Sequence, residues 1–504
     1  MTDQNIDTPV IDSPSQDVST APPPAPATLR GLLTMAWPLI ISNSFSTIQI
    51  TIDRLFLSGQ GIDVASGATS AAMIFWLPYI LLFSTAAYVA TFVAQYTGAK
   101  RPHRVGSAVW QGIWFSVVAG IAFLGFIPLA DGLFALIGHS PEIQYYEAEY
   151  FRCMCWFALP GLFVSSISAF FSGRGESQVV ILISIPGTLV NSVLAYAWIP
   201  GHWGFPSMGI TGAGYAAVAG GWASALTAFA LFMRKRYRVS NSTLIGWKPD
   251  FSLLFRLMRF GLPSALHWTL EMTAFNAFVI LTGWFGTDDL NATNLAITIN
   301  NVAFIPMMGM GMAVSILVGQ CLGENNPKAA EKLTWMGVAV AGTYMLTIGL
   351  MYVVVPSLFI GPFQGDNPPE RWALIAERTQ ILLLFVAGFA LFDAINLVVS
   401  FGLRGAGDTL FVSAVSLCFA WPVMVIPSYV VYRLGWSHGL FWAWGFASLY
   451  IGLQSLCFVV RFRGGKWKSM RVIEPEVIDP LDKELAASET NANGEIVGTA
   501  TETL

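Results

Sequence analysis

The sequence predicts an all-α integral membrane protein whose twelve transmembrane helices form two parallel six-helix bundles around a central cleft. Three observations predict it. The chain is 55% hydrophobic and only 11% charged over 504 residues, whereas a soluble domain carries roughly 25% charged residues. Apolar stretches of about 20 residues, the length that crosses a ~30 Å hydrocarbon layer as a helix, recur twelve times. A set of identities also repeats along the chain at one constant spacing.

Residues 1–29 are polar, and the run APPPAPA at 21–27 reads as a disordered or polyproline cytoplasmic tail. No basic segment leads into an apolar core and a small-residue cleavage site, so the first membrane helix is expected to direct insertion itself. The first bundle is expected over 30–233, with spans near 32–57, 70–96, 106–127, 150–171, 179–199 and 211–233. A basic cytoplasmic linker follows at 234–256, carrying Arg234, Lys235, Arg236, Arg238 and Lys248. The second bundle is expected over 257–463, with spans near 257–285, 293–317, 333–358, 379–402, 410–432 and 440–460. An acidic, polar cytoplasmic tail closes the chain at 464–504.

Lysine and arginine orient these spans. Twenty-one of the 26 fall in segments on the side of both termini. Only Arg152, Arg371, Arg378 and Arg433 fall opposite, and Arg54 lies within a span. By the positive-inside rule both termini are cytoplasmic.

The repeat sets the architecture. Val93, Gln95, Gly98, Pro102, Trp110 and Gly112 recur as Val318, Gln320, Gly323, Pro327, Trp335 and Gly337, each 225 residues later, and Pro38 recurs as Pro263. Gly-Arg-Gly at 173–175 is answered by Leu-Arg-Gly at 403–405. The unit holds six spans, an even number, so both copies enter the membrane from one side and are parallel repeats about an axis along the membrane normal. A cleft between two such bundles suits alternating access. The repeated glycines and prolines fall where cytoplasmic turns are expected, and read as turn or hinge chemistry.

A net charge of −4 gives no electrostatic footprint for nucleic acid. The five cysteines, Cys153, Cys155, Cys321, Cys418 and Cys457, lie in or beside apolar segments without zinc-ligand spacing, and read as buried free thiols.

Four non-histidine charges fall well inside spans: Asp53 and Arg54 in the first, Glu271 in the seventh and Asp393 in the tenth. A charged group at the bilayer centre costs ~2.5 kcal/mol or more unless it faces protein or water, which makes each a functional candidate. Glu271 and Asp393 come out at similar depth near the midplane from the ~1.5 Å rise per residue. They are positioned to share protons or to hold one cation, and would be metal ligands only for sodium coupling. Arg54 diverges from Asp53 by one helical step, so either Asp53 acts alone or the two form a local charge pair. His267 lies one turn before Glu271, where it tunes the acid or simply packs.

Asn276, Asn294, Asn300, Asn301 and Asn396 read as interhelical hydrogen bonders or cleft contacts. Met307, Met308, Met310 and Met312, interleaved with Gly309 and Gly311, read as close packing. Facing the cleft, Met308 and Met312 would suit bulky organic cations alongside some of the 18 Trp and 36 Phe. The substrate-cleft candidates are therefore His267, Asn276, Asn294, Met308, Met312 and Asn396.

Over about 29–463 the chain resembles the multidrug and toxic compound extrusion (MATE) family, and within it the bacterial NorM-like branch. The likeness rests on Gly-Leu-Pro followed by Glu271, on the run from Asp393 to Thr409 with its LRGAGDT, and on VAQ-x2-G with its copy VGQ-x2-G. It implies cation coupling by Glu271 and Asp393 and proton-linked function for Asp53. It further implies secondary active efflux of small, cationic, amphipathic molecules by antiport against protons or sodium ions. A monomer in the plasma membrane, the inner membrane if bacterial, is expected, with no cofactor beyond the transported ion. One departure stands out: the family commonly has a small polar residue after the first-span acid, where this chain has Arg54.

The rival readings are a lipid-linked precursor flippase of the same superfamily and an intramembrane enzyme. The flippase generally needs several cationic cavity residues, whereas the spans here hold three acids and one arginine. An enzyme needs a convergent nucleophile and base or a metal set, and the sequence offers none.

Overall fold

A computed structural model describes residues 27–241, 243–364 and 369–475. The expected tails at 1–29 and 464–504 lie outside the described residues over 1–26 and 476–504. Twelve long helices carry the described chain, which contains no strand. The first six are α1 (Leu29–Ser58), α2 (Asp63–Gly98), α3 (Pro102–Ile137), α4 (Pro141–Gly173), α5 (Ser177–Trp198) and α6 (Gly209–Phe232). The second six are α7 (Phe251–Phe285), α8 (Thr287–Gly323), α9 (Pro327–Val354), α10 (Pro369–Ala406), α11 (Thr409–Leu434) and α12 (Gly439–Arg463).

Ten of the twelve are long and apolar enough to cross a membrane; α1 and α7 are the two that fall short. The expected twelve is thus met in helices but not in apolarity. The reason is physical: α1 carries Asn43, Asp53 and Arg54, and α7 carries Arg256, Arg259, His267 and Glu271. The first helix of each half holds the polar groups that lower its apolarity.

Local chemistry places the helix ends. Thr28 Oγ1 accepts from the Gly31 amide at 3.2 Å, Asp250 Oδ1 from Leu253 at 3.1 Å and Asn326 Oδ1 from Ala329 at 3.1 Å, each satisfying an amide that the first turn leaves free. Pro102, Pro141 and Pro327 occupy first-turn positions, where a missing N–H costs nothing. Outside the spans, Tyr237 in the short helix Lys235–Ser240 donates to Glu176 at 2.7 Å. Burial and this bond push its phenol up to about 12, so it stays a donor at neutral pH.

The repeat is visible as packing. A Cβ on Gly112 would lie 2.5 Å from Val89, and one on Gly337 would lie 2.6 Å from Val314, the same pair moved by one repeat. Three apolar cores follow among the described residues. One lies within α1–α6 around Phe75, Tyr79 and Phe151, and one within α7–α12 around Phe278, Phe389 and Trp444. The third is shared, joining Leu32, Met35, Leu39 and Ala94 of the first half to Met307, Val318, Phe401 and Trp467 of the second. The halves are therefore welded at the end that carries Thr28 and Trp467, and keep separate cores towards the other end.

Across this weld α1 packs on α8, and α7 packs on α2, the same pairing with the halves exchanged. Its tightest point is a crossing of α2 and α8. A Cβ on Gly98 would overlap the Gln320 carbonyl, and a Cβ on Gly323 would overlap the Gln95 carbonyl. The repeated glycines thus do more than end helices: each lets the other half's backbone come into contact. The glutamines finish the seam. Gln95 Nε2 donates to the Gly405 carbonyl at 3.1 Å, and Gln320 Nε2 donates to the Gly173 carbonyl at 2.9 Å.

Gly98→Ala and Gly323→Ala are each expected to destabilise the protein by about 1–3 kcal/mol through overpacking. The double variant should cost less than the sum, because either methyl already prises open the same crossing. Thermal unfolding of the three variants in detergent measures this.

Candidate functional site

The site grows from one apolar helix that carries a carboxylate. On α7, Glu271 follows His267 by four residues, which places both on one face. Two further helices bring a polar stripe to that face: Ser413 and Ser416 are three apart on α11, and Tyr450 and Gln454 are four apart on α12. Ser413 Oγ donates to the Pro263 carbonyl and pins α11 to α7.

Three donors then converge on a single oxygen. Glu271 Oε1 accepts from Gln454 Nε2 at 2.6 Å, from the Tyr450 hydroxyl at 2.7 Å and from Ser416 Oγ at 3.2 Å. Such bonds hold a charge where bulk water is excluded. Oε2 takes none of them, and the Glu271 side chain keeps 24% of its surface open. One oxygen is anchored, and the other takes no hydrogen bond among the described residues.

His267 does not bond Glu271 directly. Its Nδ1 is 3.8 Å from Oε1 and shares a 2.5 Å hydrogen bond with Ser416 Oγ. The buried imidazole therefore acts on the acid through that serine. Asn396 on α10 donates to Gln454 Oε1 at 3.0 Å and extends the network by one step. Asp393, three residues earlier on α10, is close enough for its charge to act on Glu271 and Tyr450. The structure thus gathers Glu271, Asp393, His267 and Asn396 in the second half.

Asp53 stands apart, in the first half. It is 7% exposed, its Oδ2 meets Asn191 Nδ2 at 3.4 Å, and its Oδ1 is buried without a hydrogen-bond partner. Arg54 is exposed and forms no ion pair with it among the described residues. A buried, half-satisfied carboxylate oxygen is uncommon and calls for a functional reason.

The other candidates scatter. Met312 Sδ accepts from Asn43 Nδ2 at 3.6 Å across the seam, and Met308 packs half-buried on the shared core. Asn276 and Asn294 are exposed, and their side chains form no hydrogen bond among the described residues. Met307 and Met310 are core residues, and Gly309 admits the backbone of Ile40.

Sequence reasoning missed Ser416, Tyr450 and Gln454. The signal was present as polar residues spaced three and four apart on apolar helices, but only tertiary packing shows which acid they serve. It also missed the ion pair in which Arg461 clasps Asp408 at 2.6 and 3.0 Å. Arg404 holds neither acid: its guanidinium lies 4.3 Å over Phe401 and 5.3 Å over Trp268. Among the described residues no three His, Cys, Asp or Glu side chains cluster as a metal site. The Glu271 carboxylate is itself a hard oxygen group, of the kind that binds a proton or a hard ion rather than a soft metal.

The family model described as MatE matches residues 38–197 and 263–430. "Probable multidrug resistance protein NorM" of Brucella suis is 27% identical over 434 residues, covering 86% of this chain and 92% of its own. "Multidrug resistance protein NorM" of Burkholderia vietnamiensis is 27% identical over 435 residues, covering 85% and 92%. Among solved structures, a MOP superfamily transporter from Pyrococcus furiosus superposes with a TM-score of 0.79 at 19% identity, over 87% of this chain and 96% of that one. A MATE structure in complex with MaL6 does so with a TM-score of 0.79 at 20% identity, over 87% and 97%.

Removing the Tyr450 hydroxyl deletes a charge-assisted bond, so Tyr450→Phe is expected to cost about 1.5–3 kcal/mol. In a Glu271→Gln background the same change should cost less than half as much, because the acceptor is no longer ionised. A double-mutant cycle on thermal unfolding measures the coupling.

Proposed function

The chain belongs to the MatE family, and on that premise we propose that it is a secondary active transporter that exports drugs or amphipathic organic cations in exchange for protons or sodium ions. The relatives named as multidrug resistance proteins support this substrate class. The observation that carries the coupling role is the carboxylate of Glu271, anchored by three donors on one oxygen, with 24% of its side chain still open.

The cation neutralises a group that is expensive to leave bare in the membrane. Its arrival and departure therefore shift the balance between conformations in which the halves are closed at one end or the other. A membrane potential of 100 mV adds ~2.3 kcal/mol for each charge moved inward. In this reading Tyr450, Gln454 and Ser416 hold Glu271 in place, His267 sets the orientation of Ser416, and Asp393 shares the incoming cation. Asp53 contributes a second proton-linked acid from the first half. Drug-sized cations would pass between the halves, where Asn43 and Met312 already meet.

The protein acts as a single chain in the plasma membrane, the inner membrane in a bacterium, with both termini cytoplasmic. The welded end then faces the cytoplasm and the described conformation faces outward. No cofactor beyond the transported cation is required.

In vesicles with an imposed proton or sodium gradient, Glu271→Gln and Asp393→Asn are each expected to reduce efflux of a fluorescent cationic dye at least about 100-fold, the loss of a step supplied by a buried charge. Undiminished gradient-driven efflux by both variants would sink the coupling assignment. Accumulation of a lipid-linked precursor on depletion, with no dye transport, would favour the flippase.

A further inference from the structure

The chain does not leave the compact unit when α12 ends at Arg463; the unit runs on to Val472. Gly465, at φ +71°, reverses the chain in a conformation that glycine adopts without a Cβ penalty. The short turn Lys466–Ser469 follows. In it Trp467 is fully buried, stacked 4.5 Å from the Phe462 ring and donating Nε1–H to the Phe462 carbonyl at 2.7 Å. Lys468 pairs with Glu331 of α9 at 2.6 Å, and Arg471 donates to Asn325, between α8 and α9, at 3.1 Å. To this point every hydrogen-bond and ion-pair partner among the described residues belongs to the second half.

Val472 then crosses over. Its amide donates to Gln95 Oε1 at 2.9 Å, and Gln95 is a residue of α2, in the first half. The Val472 side chain is fully buried, 2.9 Å from where a Cβ on Gly407 would lie. The same Gln95 side chain already donates to Gly405, and its helix makes the crossing at Gly98. One amide is therefore gripped on both faces by the second half, once by α10 and once by the segment after α12. The segment after α6 behaves differently among the described residues. Tyr237 bonds Glu176, and the Thr243 carbonyl accepts from Trp110 at 2.7 Å, all within the first half.

We propose that residues 464–472 are a strap that holds the seam shut at this end, and that its withdrawal from Gln95 is a required step when this end opens. Parting the halves at the α2–α8 crossing moves Gln95 away from Gly405, and the Val472 amide must release at the same time or travel with α2. The anchors at Trp467, Lys468 and Arg471 fix the strap to the second half, so release is the route that leaves it folded. The strap thereby biases the transporter towards the conformation seen here, and loosening it raises the rate of opening. The inference uses the two-ended cycle of the proposed function but is read without transport.

Cys321 supplies the readout. It is buried in the shared core beside Gln320, and a full-length variant with Cys153, Cys155, Cys418 and Cys457 replaced by alanine leaves it as the sole thiol. Its maleimide labelling rate in lipid nanodiscs, without substrate or gradient, reports opening of the seam. The paired change Trp467→Ala with Val472→Asp is expected to raise that rate about tenfold or more, as a local opening event made easier. An unchanged rate in a variant that keeps its size-exclusion profile overturns the strap. Should the paired variant fail to fold, the half-exposed Lys468–Glu331 pair decides. Lys468→Glu should speed labelling about two- to fivefold, and adding Glu331→Lys should return it to the starting rate, in line with the modest worth of such pairs. No effect, or no rescue, overturns the proposal. If dye transport proves independent of Glu271 while these rates behave as expected, the coupling assignment fails and the strap stands.

Discussion

The structure depends on two helix backbones being able to touch. At the crossing of α2 and α8, Gly98 lies on the Gln320 carbonyl and Gly323 on the Gln95 carbonyl, a reciprocal contact that no residue with a Cβ permits. From it follow the two glutamine bonds to Gly405 and Gly173 and the shared core that holds Leu32, Ala94, Val318 and Trp467 together. In lipid there is little hydrophobic drive to bring helices together, so close backbone packing and hydrogen bonds must hold such a seam. Both are concentrated at one end, which leaves the other end free to be built from two independent cores.

That division explains the position of the charges. The network around Glu271 lies within the second half, where α7, α11 and α12 are packed on one another, and it does not bridge the seam. Asp53 is likewise held within the first half, by Asn191. Each acid is therefore carried by one bundle and can keep its neighbours while the bundles move relative to each other. The two helices that fall short in apolarity, α1 and α7, are also the ones that pack across the seam on α8 and α2. Polarity and the interface between the halves are thus carried by the same elements.

Much of this was legible in the residues. The parallel duplication followed from Gln95 and Gln320 and their neighbours at one spacing, because an even number of spans leaves no other topology. Glu271, Asp393 and Asp53 were singled out by the cost of charge in hydrocarbon. Less was legible about their partners. Asn276 and Asn396 look alike as asparagines on apolar helices, yet one is exposed and the other reaches Gln454. His267 was placed correctly one turn from Glu271, but its hydrogen bond goes to Ser416, on a helix about 150 residues away in the chain. The repeated glycines announced themselves as turn residues, and their larger role needed the opposing backbone to be in view.

What the sequence by itself determined is therefore the set of properties that follow from local composition and periodicity: a helical membrane protein, its duplication, and the few acids that stand out on apolar helices. These are one-dimensional quantities, set by the mismatch between polar groups and lipid along each helix. The tertiary structure decided which groups meet. It chose three donors for one oxygen of Glu271, placed Arg404 on aromatic rings rather than on an acid, and brought Val472 to Gln95 across 377 residues of chain. Those choices depend on how helices rotate and cross when their small residues interlock, and no spacing within a single helix encodes that angle.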